Sequence, residues 1–315
     1  MNFSLPDFGL SDSTLAAMTI PVCALIAVLI DRFCGEPKRW HPLVGFGNLV
    51  SFVEKHLNKR QRLLGLIAWL LVVSPWVMAA LWLQNRCTIA LDIALLTFAL
   101  GAQSLREHAE AVAKPLMEGN LDEARRRVGW MVSRETSQLD ESGIAKAGVE
   151  SVLENGNDAI FGALFWFALL GGPGALLFRL ANTLDAMWGY RTERFNLFGR
   201  PAARIDDALN WLPARLTALT YALFGQTRAA LACWRAQAPV WDSPNAGPVM
   251  AAGAGSLGVA LGGAAIYHGQ EEIRPPLGQG PAPVAADLAR AIALVKNSLW
   301  FWLAALFIIS GVLHA

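Results

Sequence analysis

Charged side chains are scarce in this chain. They make up 16% of its 315 residues, where an ordinary soluble domain carries about 25%. Hydrophobic residues reach 54%, which points to a protein that meets lipid. The net charge of +1 leaves no global field of the kind that draws a protein to nucleic acid, so no nucleic-acid partner is expected. Cysteine is equally sparse. Cys23, Cys34, Cys87 and Cys233 are scattered and form no CxxC pair, which argues against a zinc site or a disulfide framework and for reduced, packed thiols. There is no GxxxxGK[ST] and no GxGxxG after a strand, so any nucleotide is held by other means than those loops. The opening "MNFSLPDFGLSD" has no basic stretch and does not read as a cleaved signal peptide.

What the chain has is long apolar runs. A bilayer-spanning helix needs about 20 mostly apolar residues. Residues 14–30, 63–83, 87–102 and 298–314 each read as a span. Residues 31–62 carry seven Lys and Arg and read as cytoplasmic by the positive-inside rule. The 84–86 turn has only Arg86 and reads as periplasmic, and 103–158, with Arg125, Arg126 and Arg127, reads as cytoplasmic again. A span over 159–181 would then place Arg191, Arg194, Arg200, Arg204 and Arg215 outside. "GGPG" at 171–174 breaks that run into halves too short to cross. The expectation is a re-entrant helical hairpin. Residues 256–267 leave three readings open: a tightly packed helix, a second re-entrant piece or a true span. Residues 271–284 read as loop. The fold class expected is all-α: one polytopic membrane domain over 1–315, with about four to five transmembrane helices plus the hairpin. The cytoplasmic helical segments 103–158 and 182–250 would form the active site.

Chemistry-bearing residues gather in five stretches: 31–48, 125–140, 149–167, 181–216 and 241–248. Glu150, Glu154 and Asp158 sit four apart, a stripe that repels itself on a helix. Asn155, Gly156 and Asn157 are poor filler for an ordinary exposed helix, although a solvated face is the plain alternative. Asn182 and Asp185, Asp206 and Asn210, and Asp207 and Asn210 are spaced to share helix faces. Arginines 191, 194, 200, 204 and 215 flank them. Carboxylates and amides suit Mg²⁺, and guanidinium forks suit phosphate or carboxylate. Plain alternatives exist elsewhere. Arg125–Arg127 can anchor a helix to anionic lipid, Trp40 and His41 can sit at the interface, and Asp92 inside a span is a functional candidate that also lies close to its end.

At these residues the sequence resembles a family of cobalamin-biosynthesis membrane proteins, the adenosylcobinamide-phosphate synthases (cobyric acid–aminopropanol amide ligases). The matching stretches are "DRFCGEPKRWHPLVGFG", "GWMVSRETSQLD", "ESVLENGNDAIFGALFW", "ANTLDAMWGYR", "FGRPAARIDDALNWLPARLTAL" and "SPNAGPVMAAGAGSLGVALGG". They cover about 31–263 in the family's order. Two departures are Glu36 and Glu135, where the family usually has Asp. The resemblance implies an ATP- and Mg²⁺-dependent amide ligase that joins (R)-1-aminopropan-2-ol phosphate to a propionate carboxylate of adenosylcobyric acid. It implies a multi-pass protein of the bacterial inner membrane with its site facing the cytoplasm, beside other membrane-bound corrinoid-assembly enzymes. On this reading Glu150, Glu154, Asp158, Asp185, Asp206 and Asp207 are metal-ligand candidates. Glu154, Asp158, Asp206 and Asp207 are also catalytic candidates, with His41 as a proton acceptor. Arg134, Asn155, Asn157, Asn182, Arg191, Arg204, Asn210, Arg215 and Asn245 would bind substrate or phosphate, and Trp188 and Trp211 would face the corrin. The competing readings are a transporter and a non-catalytic sensor akin to a family involved in β-lactamase induction.

Overall fold

The computed structural model describes residues 12–36, 41–267 and 269–313, with side chains from Met18 onward. Arg39 and Trp40, part of the first chemistry-bearing stretch, lie outside the described residues. The chain forms α1 (Asp12–Cys34), α2 (Pro42–Leu57), α3 (Arg62–Gln84), α4 (Thr88–Ala99), α5 (Ala102–Met117), α6 (Leu121–Val128) and α7 (Glu141–Gly156). A π turn, Asn157–Phe161, leads into α8 (Gly162–Trp188). Then come α9 (Arg200–Leu223), α10 (Thr227–Gln237), a 3₁₀ turn (Ala238–Val240), α11 (Ala246–Leu257), the strands β1 (Ala260–Tyr267) and β2 (Gln270–Gly278), and α12 (Ala285–Leu313). The fold is helical, as expected for a polytopic membrane protein.

Four segments among the described residues are long and apolar enough to cross a membrane: Arg62–Gln84, Thr88–Met117, Glu141–Trp188 and Ala285–Leu313. Three of them bury only 28–33% of their apolar window inside the protein, whereas Glu141–Trp188 buries 67%. Helix α3 shows why. Leu66, Leu70, Leu71, Trp76, Met78 and Trp82 are exposed around it, and a helix apolar on all sides needs lipid or protein around it. The Glu141–Trp188 segment is instead an interior element.

That segment does not run straight. Gly171 has φ 66° and ψ −157°, a conformation essentially reserved for glycine, and Pro173 follows. Beyond the bend the chain doubles back. The Phe178 ring packs against Gly162, and Asn182 comes within hydrogen-bonding reach of Asp158. In a straight helix those last two residues would be ~36 Å apart. The bend is seated on α4 and the end of α3. The Asp92 carboxylate accepts from the Gly172 amide at 2.7 Å and from Gln84 Nε2 at 3.2 Å. Asp92 is thus a structural acceptor at the hairpin's turn. The helical hairpin expected over 159–181 is present.

The run read as a third span, 87–102, falls within the Thr88–Met117 segment; at its break the Gly101 amide leaves the helix and donates to Ala159 O in the π turn at 3.0 Å. Other expectations change. The 256–267 stretch is neither a helix, a re-entrant piece nor a span beyond Leu257. It closes α11 at Gly258 and becomes β1, paired antiparallel with β2. Much of the segment read as loop, 271–284, is therefore strand. Small apolar residues with Gly262 and Gly263 fit a helix pattern as well as a strand, so periodicity alone does not separate them. Helix α11 is buried at all twelve positions. Its Ala and Gly residues let α9 and α10 pack closely against it.

Candidate functional site

Helix α7 starts at Asp140, whose Oδ1 accepts from the Gly143 amide at 2.7 Å, a standard N-cap bond. Its carboxylate stripe has three destinations. Glu150 is buried, and both oxygens are occupied. Oε1 accepts from the Gly262 amide (2.7 Å) and Arg274 Nη2 (3.2 Å), and Oε2 accepts from Arg274 Nη1 (3.0 Å) and from Arg134. The carboxylate holds two guanidiniums and leaves no free lone pair facing the site, so the geometry makes it an anchor for β1 and β2 and not a metal ligand. Arg134 is drawn into the same triad.

Glu154, one turn on, is half-buried and has no hydrogen-bond or ion-pair partner among the described residues. It lines a cavity of about 560 Å³ together with Arg134, Asn155, Trp241, Tyr267 and Arg274. Asn155 is oriented by Ser151, donating to its carbonyl at 2.9 Å and its hydroxyl at 3.2 Å. Across Asn155 lies a second opening of about 220 Å³, lined by Glu36, Ser104, His108 and Arg179.

The π turn then rotates Asp158 away from the Glu150–Glu154 line and toward the return arm of the hairpin. Inserted turns of this kind recur at functional sites. Asn157 Nδ2 donates to Asp158 Oδ1 (2.9 Å) and Asn210 Oδ1 (2.7 Å), and its carbonyl oxygen accepts from Thr217 Oγ1 at 3.1 Å. Asn210 Nδ2 donates to Asp206 Oδ2 at 3.1 Å, and Asn182 Nδ2 lies 3.5 Å from Asp206 Oδ1. Asp185 stands close enough for its charge to act on Asp206. The structure thus brings together Asn157, Asp158, Asn182, Asp185, Asp206 and Asn210. None of the three aspartates has an ion-pair partner among the described residues; Arg179, whose charge acts on Asp158, pairs with Glu36 at 3.7 Å. Burial, and then the charges of Asp158 and Asp185, push the Asp206 carboxyl well above the ordinary carboxylate range.

Among the described residues no group of three or more His, Cys, Asp or Glu forms a ready-made metal cage. The donor set does fit Mg²⁺, which is commonly held by one or two carboxylates together with substrate phosphates. The carboxylates of Asp158, Asp185 and Asp206, which have no ion-pair partner among the described residues and on which Asn157, Asn182 and Asn210 place only amide N–H donors, are what such an ion would neutralise.

Other expected residues stand apart. His41 caps α2, its Nδ1 accepting from the Leu43 amide at 3.2 Å. Asp207 faces away from Asp206 and pairs with Arg204 at 3.6 Å. Arg215 donates to Asn245 Oδ1 (2.9 Å), Trp211 O and Pro244 O, and Asn245 Nδ2 donates to Asp207 O (2.9 Å), tying α9 to the start of α11. Arg191 is exposed, 3.9 Å from Asp242. Trp188 is fully buried against Phe198 and cannot face a large ligand, whereas Trp211 is exposed under the Arg215 guanidinium. Glu135 accepts from the Gly269 amide at 2.7 Å and so fastens the turn between β1 and β2. Arg125 donates to Leu139 O, while Arg126 and Arg127 pair with Glu123, so this triplet is engaged within the protein. Sequence reasoning missed Arg179 and Arg274. Arg179 carried a signal, being the only charge in an apolar run; Arg274 sat in a stretch read as loop.

The CobD/Cbib protein family model matches residues 24–295. The chain is 57% identical over 305 residues to the cobalamin biosynthesis protein CobD of Chromobacterium violaceum, covering 92% of this chain and 97% of that one. It is 56% identical over 304 residues to the protein of the same name from Stutzerimonas stutzeri, covering 95% and 100%. A Mycobacterium tuberculosis relative, also named cobalamin biosynthesis protein CobD, is 39% identical over 287 residues, covering 88% and 92%. No solved structure matches the chain. The family match over most of the length, with identity far above chance, means that this chain belongs to the CobD/Cbib family.

Proposed function

We infer that the chain acts in cobalamin biosynthesis as an amide-forming ligase, joining (R)-1-aminopropan-2-ol phosphate to a propionate of adenosylcobyric acid with ATP and Mg²⁺. The observation that carries this reading is Glu154: an unpartnered carboxylate in a cavity that also presents Arg134 and Arg274, next to buried Asp206 and half-buried Asp158 and Asp185, which have no ion-pair partner among the described residues. The names of the relatives support the pathway, and the site chemistry supports the reaction.

A carboxylate does not condense with an amine at neutral pH. In the proposed reaction a propionate oxygen attacks the terminal phosphorus of ATP and ADP leaves. The amine nitrogen then attacks the acyl carbon and phosphate leaves. The ammonium must lose a proton before it attacks, and Glu154 is placed to take it; general bases of this kind contribute about 10²- to 10⁴-fold. Mg²⁺ held by Asp158, Asp185 and Asp206 would neutralise phosphate charge. Asn155 and Asn182 orient the reactants, and holding them in register supplies much of the rate. The Lys- and Arg-rich segments 31–62 and 103–158 border the site through Glu36 and Arg134, which favours a cytoplasmic opening in an inner membrane.

The test is purified full-length protein in nanodiscs with adenosylcobyric acid, aminopropanol phosphate and Mg-ATP, read by mass spectrometry. The expected product is the amide plus ADP. A folded wild type that yields no amide, or an Asp206→Ala variant as active as wild type, overturns the reading.

A further inference from the structure

A separate cleft of about 470 Å³ lies against α9, α10 and the 238–248 segment. Arg204 and Arg215 are eleven residues apart on α9, three turns along one face and about 16 Å at 1.5 Å per residue. That face is opposite the one that carries Asp206 and Asn210. Arg235 of α10 joins them in lining the cleft. It is exposed and has no hydrogen-bond or ion-pair partner among the described residues. Trp234 and Trp241 supply apolar walls, and the only acid in the lining is Asp242.

We propose that this cleft is a binding subsite for an organic phosphate. Arg204 is paired with Asp207 at 3.6 Å and Asp242 is in the lining, so against these two carboxylates the three guanidiniums leave a smaller positive excess, carried foremost by the unpaired Arg235. Arginine forks match phosphate oxygens two at a time, and the indole faces accept the organic part of the ligand. Arg215 is held rigid by Trp211 O, Asn245 and Pro244, so less side-chain freedom is lost on binding. Trp241 and Asp242 line both this cleft and the 560 Å³ cavity, so a ligand anchored here by its phosphate reaches toward Glu154 around Trp241. The proposal deepens the function inferred above and rests on it for its biological meaning, since both the nucleotide and the amine of that reaction carry phosphate. It does not rest on it for the binding itself.

The experiment measures binding without turnover. Full-length protein in nanodiscs is titrated by calorimetry with ADP and, separately, with O-phosphoethanolamine. Wild type, Arg235→Gln and Arg204→Gln are compared, with Arg86→Gln, an exposed arginine at the far end of α3, as control. The expected result is at least a tenfold loss of affinity for one probe in both cleft variants, none in the control, and binding that weakens with salt. Loss for ADP identifies a nucleotide subsite; loss for O-phosphoethanolamine identifies the amine's subsite. Unchanged affinity for both probes in both cleft variants overturns the proposal. Amide formation in the ligation assay with probe affinities untouched by Arg235→Gln sinks the cleft alone. Phosphate binding lost in Arg235→Gln by a chain that makes no amide upholds the cleft and sinks the ligase.

Discussion

The carboxylate of Asp92 on α4 accepts the backbone amide of Gly172 at 2.7 Å, so an acid within one apolar helix fixes the turn of another. Asp92→Ala should leave that buried amide unsatisfied, at a cost of about 1–3 kcal/mol. Asp92→Asn keeps an acceptor and should lose less. Thermal unfolding in detergent measures both. Equal melting of Asp92→Ala and wild type would remove Asp92 from this role.

Glu150 poses the sharper stability question. Removing its carboxylate leaves Arg134 and Arg274 buried with no counter-charge. Breaking a buried pair in this way costs about 3–5 kcal/mol. Glu150→Ala should melt earlier and free the β1–β2 ribbon for proteolysis near Gly269. A variant with unchanged melting and unchanged cleavage would contradict the triad.

Glu154→Gln should behave in the opposite way. The side chain has no partner to lose, so unfolding should be close to wild type. Amide formation should fall by about 10²- to 10⁴-fold. A variant that keeps most of its activity would move the proton-accepting role elsewhere.

The Glu54–Arg194 pair gives a pH dependence. Burial raises the Glu54 carboxyl, but hydrogen bonds and charge from Arg194, with a bond from Asn58, outweigh it and hold the group below the ordinary glutamate value. A depressed carboxyl stabilises the fold above its unfolded pKa of about 4.3, and that contribution disappears as pH falls through the folded value. Between pH 6 and 8 the pair should contribute at full strength, and Glu54→Gln should lower the melting temperature there. Below about pH 4 the variant and wild type should converge. A difference that stays constant down to pH 3 would refute this.

The hairpin makes a topological prediction. With Cys34 and Cys87 replaced by Ser, cysteines at positions 191 and 200 should be labelled only from the cytoplasmic side of vesicles. Labelling only from outside would mean that the chain crosses between Asp158 and Arg191.

The helical hairpin was legible from two signals together, the GGPG break and the arginines that follow it. The acid–amide cluster was legible in part because Asn182 with Asp185, and Asp206 with Asn210, fall at helical spacing. What could not be read was how the Glu150–Glu154–Asp158 stripe divides. A four-residue spacing implies one face, and only the π turn at 157–161 sends Asp158 elsewhere. Arg274 was hidden for a different reason: β1 and β2 are rich in Gly and Pro, so neither strand alternation nor helical period marks them. His41 looked reactive on residue type, while its position one residue before Pro42 made it an N-cap.

The arms of the helical hairpin, 157–170 and 172–188, are about 21 and 25 Å long at 1.5 Å per residue, short of a crossing, and the turn between them depends on an acceptor supplied by α4. The hairpin therefore has no stable place in lipid by itself. Its arms become membrane-embedded only once α3 and α4 already stand as a paired wall to receive them, and synthesis from the N-terminus delivers that wall first. Partitioning of residues 157–188 is in this sense conditional: a chain truncated or scrambled before Gly101 would leave Arg179 and its neighbouring aspartates without a route into the bilayer.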